Sequence, residues 1–433
     1  MGETASTIPG TGEVAHVTGW KVAFITGLGQ CRSCARFRRI TDQHLPGKKG
    51  RPVTSRPAPE AASRLQMWTM YLGGFIGPFA GQSLAVILPV VAGTFAISLE
   101  QAALTMSVYL VPFATVMLVS TRLVRSLRPR RVILAAYAVT IPCTLVVILT
   151  PYWWLFAVAF ALMGIANAFT MPVFQVMIRQ LVPPSRLGSA LGTYAAMQSF
   201  GMLFAPVVAG LAAAVHWQLM FLVVLVAAVW VVLVGLPDTP PPVLADRQIS
   251  GRIRWGATVV HMLTCLAIGL GLIGAGMLVA LIVGERFGLD PFGRGLVVMC
   301  GGLSAFFLSR RIGKLADARG PRPVLLGSLL VGAAATALIP VAPMVWLVAV
   351  CWALAILAAQ GLQMTVNLIV LGSPGGSSLL SSVQAFRFYG AALTPLVVLP
   401  VFLESHHLAF WSISAGLLGI LGLQAWSGAR ARG

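Results

Sequence analysis

Carboxylates are scarce in this chain. Only 11 of 433 residues are Asp or Glu, and none of them falls inside a long apolar run. A carrier that cycles protons across a bilayer usually needs a buried titratable group there. The candidates left are His261, Glu100 and Glu285, all near the ends of apolar runs, so a coupling proton or ion is open but not indicated. Charged residues of both signs make up 9% of the chain, against about 25% in a soluble domain, which excludes an ordinary soluble fold. Lysine is nearly missing, 4 residues against 26 arginines, a bias that points to a GC-rich, bacterial gene.

P-loop, Ser-triad and zinc signatures are missing too, which excludes ATP-driven work by this chain alone. The nearest approach to a catalytic cluster is Glu404, Ser405, His406 and His407. Adjacent histidines make poor geometry for one ion, so this reads as a solvated turn. Of the six cysteines, Cys143, Cys265, Cys300 and Cys351 lie in or beside apolar runs, where a thiol is a small hydrophobe. Cys31 and Cys34 form a C-x-x-C with no second pair, which is weak grounds for zinc. No enzyme activity, metal or cofactor is expected.

What the chain has in abundance is apolar length. Hydrophobic residues make up 58% of it, and runs of about 20 recur from Met67 to Trp426, each long enough to cross a bilayer as a helix. Twelve spans are read: 68–92, 102–120, 132–150, 153–176, 188–214, 218–236, 257–283, 294–309, 323–341, 344–370, 378–402 and 408–426. The class is therefore an all-α membrane protein whose first partner is the lipid bilayer. The net charge of +19 does not mark a nucleic-acid partner, because the arginines gather in a basic leader and in alternate loops. Arg122, Arg125, Arg128, Arg130 and Arg131 follow span 2; Arg310, Arg311, Lys314, Arg319 and Arg322 follow span 8. The intervening loops carry few cations, which predicts both termini on the cytoplasmic side. The loop Gly372–Ser377 carries no charge, and nothing in the pattern accounts for that.

The predicted organisation is a basic, disordered tail (1–65), an N-terminal six-helix bundle (66–236), a cytoplasmic linker (237–256), a C-terminal six-helix bundle (257–426) and a short tail (427–433). Met67 or Met70 is an alternative start, which would make the leader foreign to the native protein. The halves repeat. Tyr194, Gln198, Gly201, Ala205 and Pro206 recur as Val383, Arg387, Gly390, Thr394 and Pro395, displaced by 189 residues. That is a parallel duplication about an axis along the membrane normal.

Gly313, Asp317, Arg319, Gly320 and Arg322 form a charged, glycine-punctuated stretch between spans 8 and 9. It is read as a loop that gates the basic side, with Asp317 close to the start of the next helix, where the macrodipole favours an anion. The stretch resembles the helix 2–3 and 8–9 loop signature of the major facilitator superfamily (Gly-x-Leu-x-Asp-Arg-x-Gly-Arg), matched at Gly313, Leu315, Asp317, Gly320 and, with a one-residue slip, Arg322. Gly201, Ala205, Pro206 and Gly210 resemble the span 5 signature of that family's exporters (Gly-x-x-x-Gly-Pro-x-x-Gly-Gly). There are departures. Arg128 stands at the repeat-equivalent of Asp317, Phe160 stands where the span 4 signature has Arg before Gly164, and Ala80 stands where many drug exporters carry an acid. The resemblance covers about residues 66–426. It implies two six-helix bundles that rock around a central cavity lined by spans 1, 4, 7 and 10.

Arg387 is the one strong charge well inside a span. An Arg at a helix centre costs about 2.5–3.5 kcal/mol on insertion scales, so something must offset it. Three readings stand: a structural Arg that snorkels or bonds to freed carbonyls, an anchor for an anionic substrate, or a gating partner of Asp317. Gln360, Gln363 and Asn367 share a face of span 10, Asn167 and Gln175 a face of span 4; Gln82 lies in span 1, Tyr194 and Gln198 in span 5. Each either bonds between helices or faces a wet cavity. Methionines and aromatics are read as packing. The functional expectation is a monomeric transporter in the cell membrane that moves a small organic solute by alternating access, leaning to efflux of amphiphiles. An anionic metabolite held by Arg387, or a sensor that transports nothing, are the alternatives.

Overall fold

The structure is a computed structural model that describes residues 63–123, 127–239, 255–373 and 376–430. The leader with Cys31 and Cys34, Arg125, most of the linker and the last three residues lie outside the described residues. Every regular element within them is helical: α1 (Arg64–Ser83), α2 (Leu88–Phe95), α3 (Leu99–Leu123), α4 (Pro129–Leu149), α5 (Trp153–Leu181), α6 (Pro184–Ala212), α7 (Phe221–Val234), α8 (Trp255–Ala267), α9 (Ala275–Phe287), α10 (Pro291–Arg319), α11 (Pro321–Leu338), α12 (Val345–Leu371), α13 (Gly376–Glu404) and α14 (His406–Arg430). Among the described residues eleven helical stretches are long and apolar enough to cross a membrane, and the bent pair α1–α2 makes a twelfth. Proline supplies several starts: Pro129, Pro184, Pro291 and Pro321 each open a helix, where a missing N–H costs nothing. Ser63 and Gln66 form a capping box on α1, and the Asp290 carboxylate accepts from the Gly293 N–H at the head of α10.

Three expectations change. The first span is not one straight helix. It turns by 76° between Val86 and Leu88, because Pro89 cannot donate to the preceding turn and the chain passes through a 3₁₀ turn, Leu84–Val86. The seventh span is interrupted by a π-helical turn, Ile268–Ile273, between α8 and α9. The third correction concerns the gating loop. Gly313, Asp317 and Arg319 are not in a loop: α10 runs on to Arg319, well past its apolar part, which ends at Ser309. The apolar run marks the limit of the bilayer, not of the helix. The turn is Gly320 alone, whose φ of +84° suits a residue without Cβ. Asp317 sits in the last turn of α10, where that helix's own dipole disfavours an anion.

The repeat seen in the sequence is a repeat of contacts. A Cβ on Gly201 would meet the Phe75 carbonyl and the Phe79 N–H of α1; a Cβ on Gly390 would meet the Leu266 carbonyl and the Leu270 N–H. Glycine at one repeat position thus lets α6 lie on α1, and α13 on α8, backbone to backbone. The π turn suits this packing. Thr394 Oγ1 donates to the Leu270 carbonyl at 2.9 Å, inside the π turn where the regular α-helical pairing is broken. The two sets of helices meet along α6–α10 and α3–α13.

Candidate functional site

Gln82 of α1, Gln198 of α6, Gln360 and Gln363 of α12 and Arg387 of α13 face one cavity of about 230 Å³. All five are half-buried. Apart from Ser199, the rest of the wall is largely apolar, with Tyr109 and Phe113 of α3, Met171 of α5, Met202 of α6, Ile273 and Phe388. The four spans expected to line it do so through Gly77, Met171, Ile273 and Gln360; α3, α6 and α13 add as much again.

The rings are held in place. The Tyr109 hydroxyl accepts from Asn167 Nδ2 at 2.9 Å and lies 3.4 Å from the Gly77 carbonyl to which it donates. Phe113 meets Phe388 edge to face, centroids 4.7 Å apart, across the junction of the two halves. Close by, the Thr115 and Tyr389 hydroxyls are 2.8 Å apart and Ser107 Oγ donates to the Ala392 carbonyl at 2.6 Å.

Arg387 Nη1 donates to Gln363 Oε1. The guanidinium carbon lies 4.6 Å from the centroid of the Phe388 ring, and the buried Nε has no hydrogen-bond partner among the described residues. Arg387 is not paired with Asp317, which is exposed at the end of α10; the gating pair between them is not formed. The six described carboxylates, Glu100, Asp238, Glu285, Asp290, Asp317 and Glu404, all stand at helix ends or in connections.

Four expected cavity residues stand elsewhere. Asn167 is 1% exposed and sits behind Tyr109. Tyr194 is equally buried, with its hydroxyl donating to the Met171 carbonyl at 3.3 Å. Asn367 Oδ1 accepts from Gln384 Nε2 at 3.2 Å, and Gln175 is half-buried off the wall. A helical stripe identifies a face, but not which neighbour covers it. Conversely Tyr109, Phe113, Met171, Met202 and Phe388, which the sequence pattern assigns to packing, stand on the cavity wall. No spacing separates a ring on a cavity wall from one in a core.

The exporter-like residues divide between two contacts. Gly201 lies on α1. A Cβ on Gly210 would meet the Pro291 carbonyl at 2.6 Å, one on Gly295 the Pro206 carbonyl at 2.5 Å, and one on Gly302 the Leu203 Cα at 3.0 Å. So α6 and α10 touch backbone to backbone along this flank. Phe160, in place of the family's Arg, is buried against Tyr109 and Phe221 with centroids 4.7 and 5.9 Å away. Arg128 finds its acid in Asp238, just beyond α7, at 2.9 Å.

The family model described as Major Facilitator Superfamily matches residues 70–395. A multidrug resistance protein MdtG of Salmonella paratyphi C is 26% identical over 302 residues, 64% of this chain and 73% of that one; its Salmonella typhi counterpart aligns equally. Two solved structures share the fold. A peptide transporter POT in complex with sulfate has a TM-score of 0.70 at 12% identity, covering 86% of this chain and 97% of that one. The human organic anion transporter MFSD10 (TETRAN) has a TM-score of 0.62 at 15% identity, covering 83% and 99%.

Proposed function

This chain belongs to the Major Facilitator Superfamily and is a multi-pass membrane transporter; from that premise we propose that it carries amphiphilic organic solutes out of the cell by alternating access. The observation that carries the reading is the cavity. It lies where the two halves meet and its wall is mostly aromatic and aliphatic, with four amides and one guanidinium set among the apolar groups. Such a surface buries an apolar body and orients a polar head. The outward direction is supported by the exporter-like residues of α6, which bring that helix against both α1 and α10, and by relatives whose names describe multidrug resistance. The arginine-rich helix ends face the cytoplasm in this reading, and the protein sits in the cell membrane of a bacterium.

Everted vesicles and proteoliposomes loaded with a panel of neutral, anionic and cationic amphiphiles test it. Energised accumulation in everted vesicles of at least one compound, absent from vesicles without the protein, is expected. Accumulation only in right-side-out vesicles would reverse the direction, and no counterflow of any amphiphile would remove the substrate class.

A further inference from the structure

We propose that the solute this cavity selects is a compact organic monoanion with an apolar body, its negative group paired with Arg387, and that organic cations are turned away. The inference rests on the amphiphile reading above and names its substrate class.

The argument is one of charge balance. Arg keeps its proton in proteins, so the cavity holds a permanent positive charge. Gln363 accepts from Arg387 Nη1 and so orients the guanidinium, but an amide cannot neutralise it. The Phe388 face under the guanidinium offsets part of the burial through its quadrupole. Neither is a counter-ion, and none of the described carboxylates is mid-helix. The Nε is buried without a partner among the described residues, so the hydrogen-bonding capacity of the guanidinium is not used up by the protein around it.

The rest of the wall fits the same solute. Phe113, Phe388 and Met202 offer apolar surface for its body, and they lower the local polarity, which strengthens both attraction to an anion and repulsion of a cation. Gln198 occupies in the first half the repeat position that Arg387 occupies in the second. The site is thus asymmetric by one charge: a polar substituent can bond to Gln198 or Gln82 while the anion takes Arg387. A cavity of about 230 Å³ has room for a small organic body beside the guanidinium.

Three probes share one body: 1-naphthylacetate, 1-naphthylacetamide and 1-naphthylmethylammonium. Binding to the purified full chain is measured by calorimetry and transport by counterflow in proteoliposomes. The expected order is acetate at least tenfold tighter than acetamide, with no heat from the ammonium. Within the Arg387→Gln variant the acetate should bind no tighter than the acetamide. Gln363→Glu, which places an acid beside the guanidinium, should abolish the acetate preference without removing Arg387, and serves if Arg387→Gln does not fold. Equal affinity for acetate and acetamide, or a preference that survives both substitutions, overturns the inference while leaving the amphiphile reading intact. Binding of none of the three by a folded protein overturns the inference, and the wider amphiphile panel then decides the reading it rests on.

Discussion

Asn167 donates from Nδ2 to the hydroxyl of Tyr109 at 2.9 Å, and Tyr109 stands on the cavity wall. The amide therefore acts on the cavity through a ring it holds upright. Asn167→Ala leaves a buried hydroxyl short of its donor, a change that costs about 1–3 kcal/mol. A double-mutant cycle with Tyr109→Phe, read by thermal unfolding in detergent, should show coupling of roughly 0.5–1.5 kcal/mol. Strict additivity would mean that the bond contributes nothing.

Gly390 and Gly416 should respond oppositely to alanine. A Cβ at 390 meets backbone atoms of Leu266 and Leu270, which have no rotamer to escape into, whereas a Cβ at 416 meets nothing within 4 Å. Gly390→Ala is expected to lower stability by roughly 1–3 kcal/mol through overpacking. Gly416→Ala should be neutral or stabilise by up to about 1 kcal/mol through helix propensity. Equal unfolding temperatures for the two variants would mean that α13 and the π turn are not in backbone contact.

Thr115 and Tyr389 face each other across the halves at 2.8 Å. The alternating-access movement proposed for this chain would separate them or roll one past the other. Cysteines at both positions, in a background with Cys31, Cys34 and Cys300 replaced by serine, should be bridged by a short cleavable thiol cross-linker. Counterflow should stop when the bridge forms and return when it is cleaved. Full transport with the bridge in place is incompatible with movement at this contact.

The Arg128–Asp238 pair is open to water, its side chains 55% and 44% exposed. Asp238→Asn should therefore cost less than about 1 kcal/mol in stability. Any slowing of transport by Asp238→Asn would then report the tie between the head of α4 and the segment beyond α7. Wild type assayed in about 1 M salt, where screening acts within about 3 Å, should behave as Asp238→Asn does. A variant slowed equally at low and high salt would rule out an electrostatic role.

Asp317 stands in the last turn of α10, at the dipole's negative end. Asp317→Asn should raise stability by about 0.3–1 kcal/mol, so any loss of function cannot be a folding defect. Labelling of a cysteine at Ala195, an exposed residue on the cavity wall, reports the balance between open states. A changed labelling rate is expected, and an unchanged one counts against a gating role for Asp317.

Reading the chain alone found the twelve spans, the duplication and the charge in span 11, because each is a property of local composition or of a repeat. Apolar runs must become helices in a bilayer, whatever packs beside them. The same logic misplaced what depends on neighbours. Asn167 and Tyr194 lie on polar-bearing stripes yet point at other helices, and Phe113 and Phe388 look like core residues yet face an opening. A stripe has a direction only after the adjacent helix is known.

The order of helices along the chain and their basic ends were decided by residue type through hydrophobic transfer and backbone hydrogen bonding. The π turn over Gly390 and the meeting of Gln82, Gln198, Gln363 and Arg387 around one cavity were decided by packing. Those features arise where backbones from segments more than a hundred residues apart press together, and a contact of that kind leaves no period in the sequence.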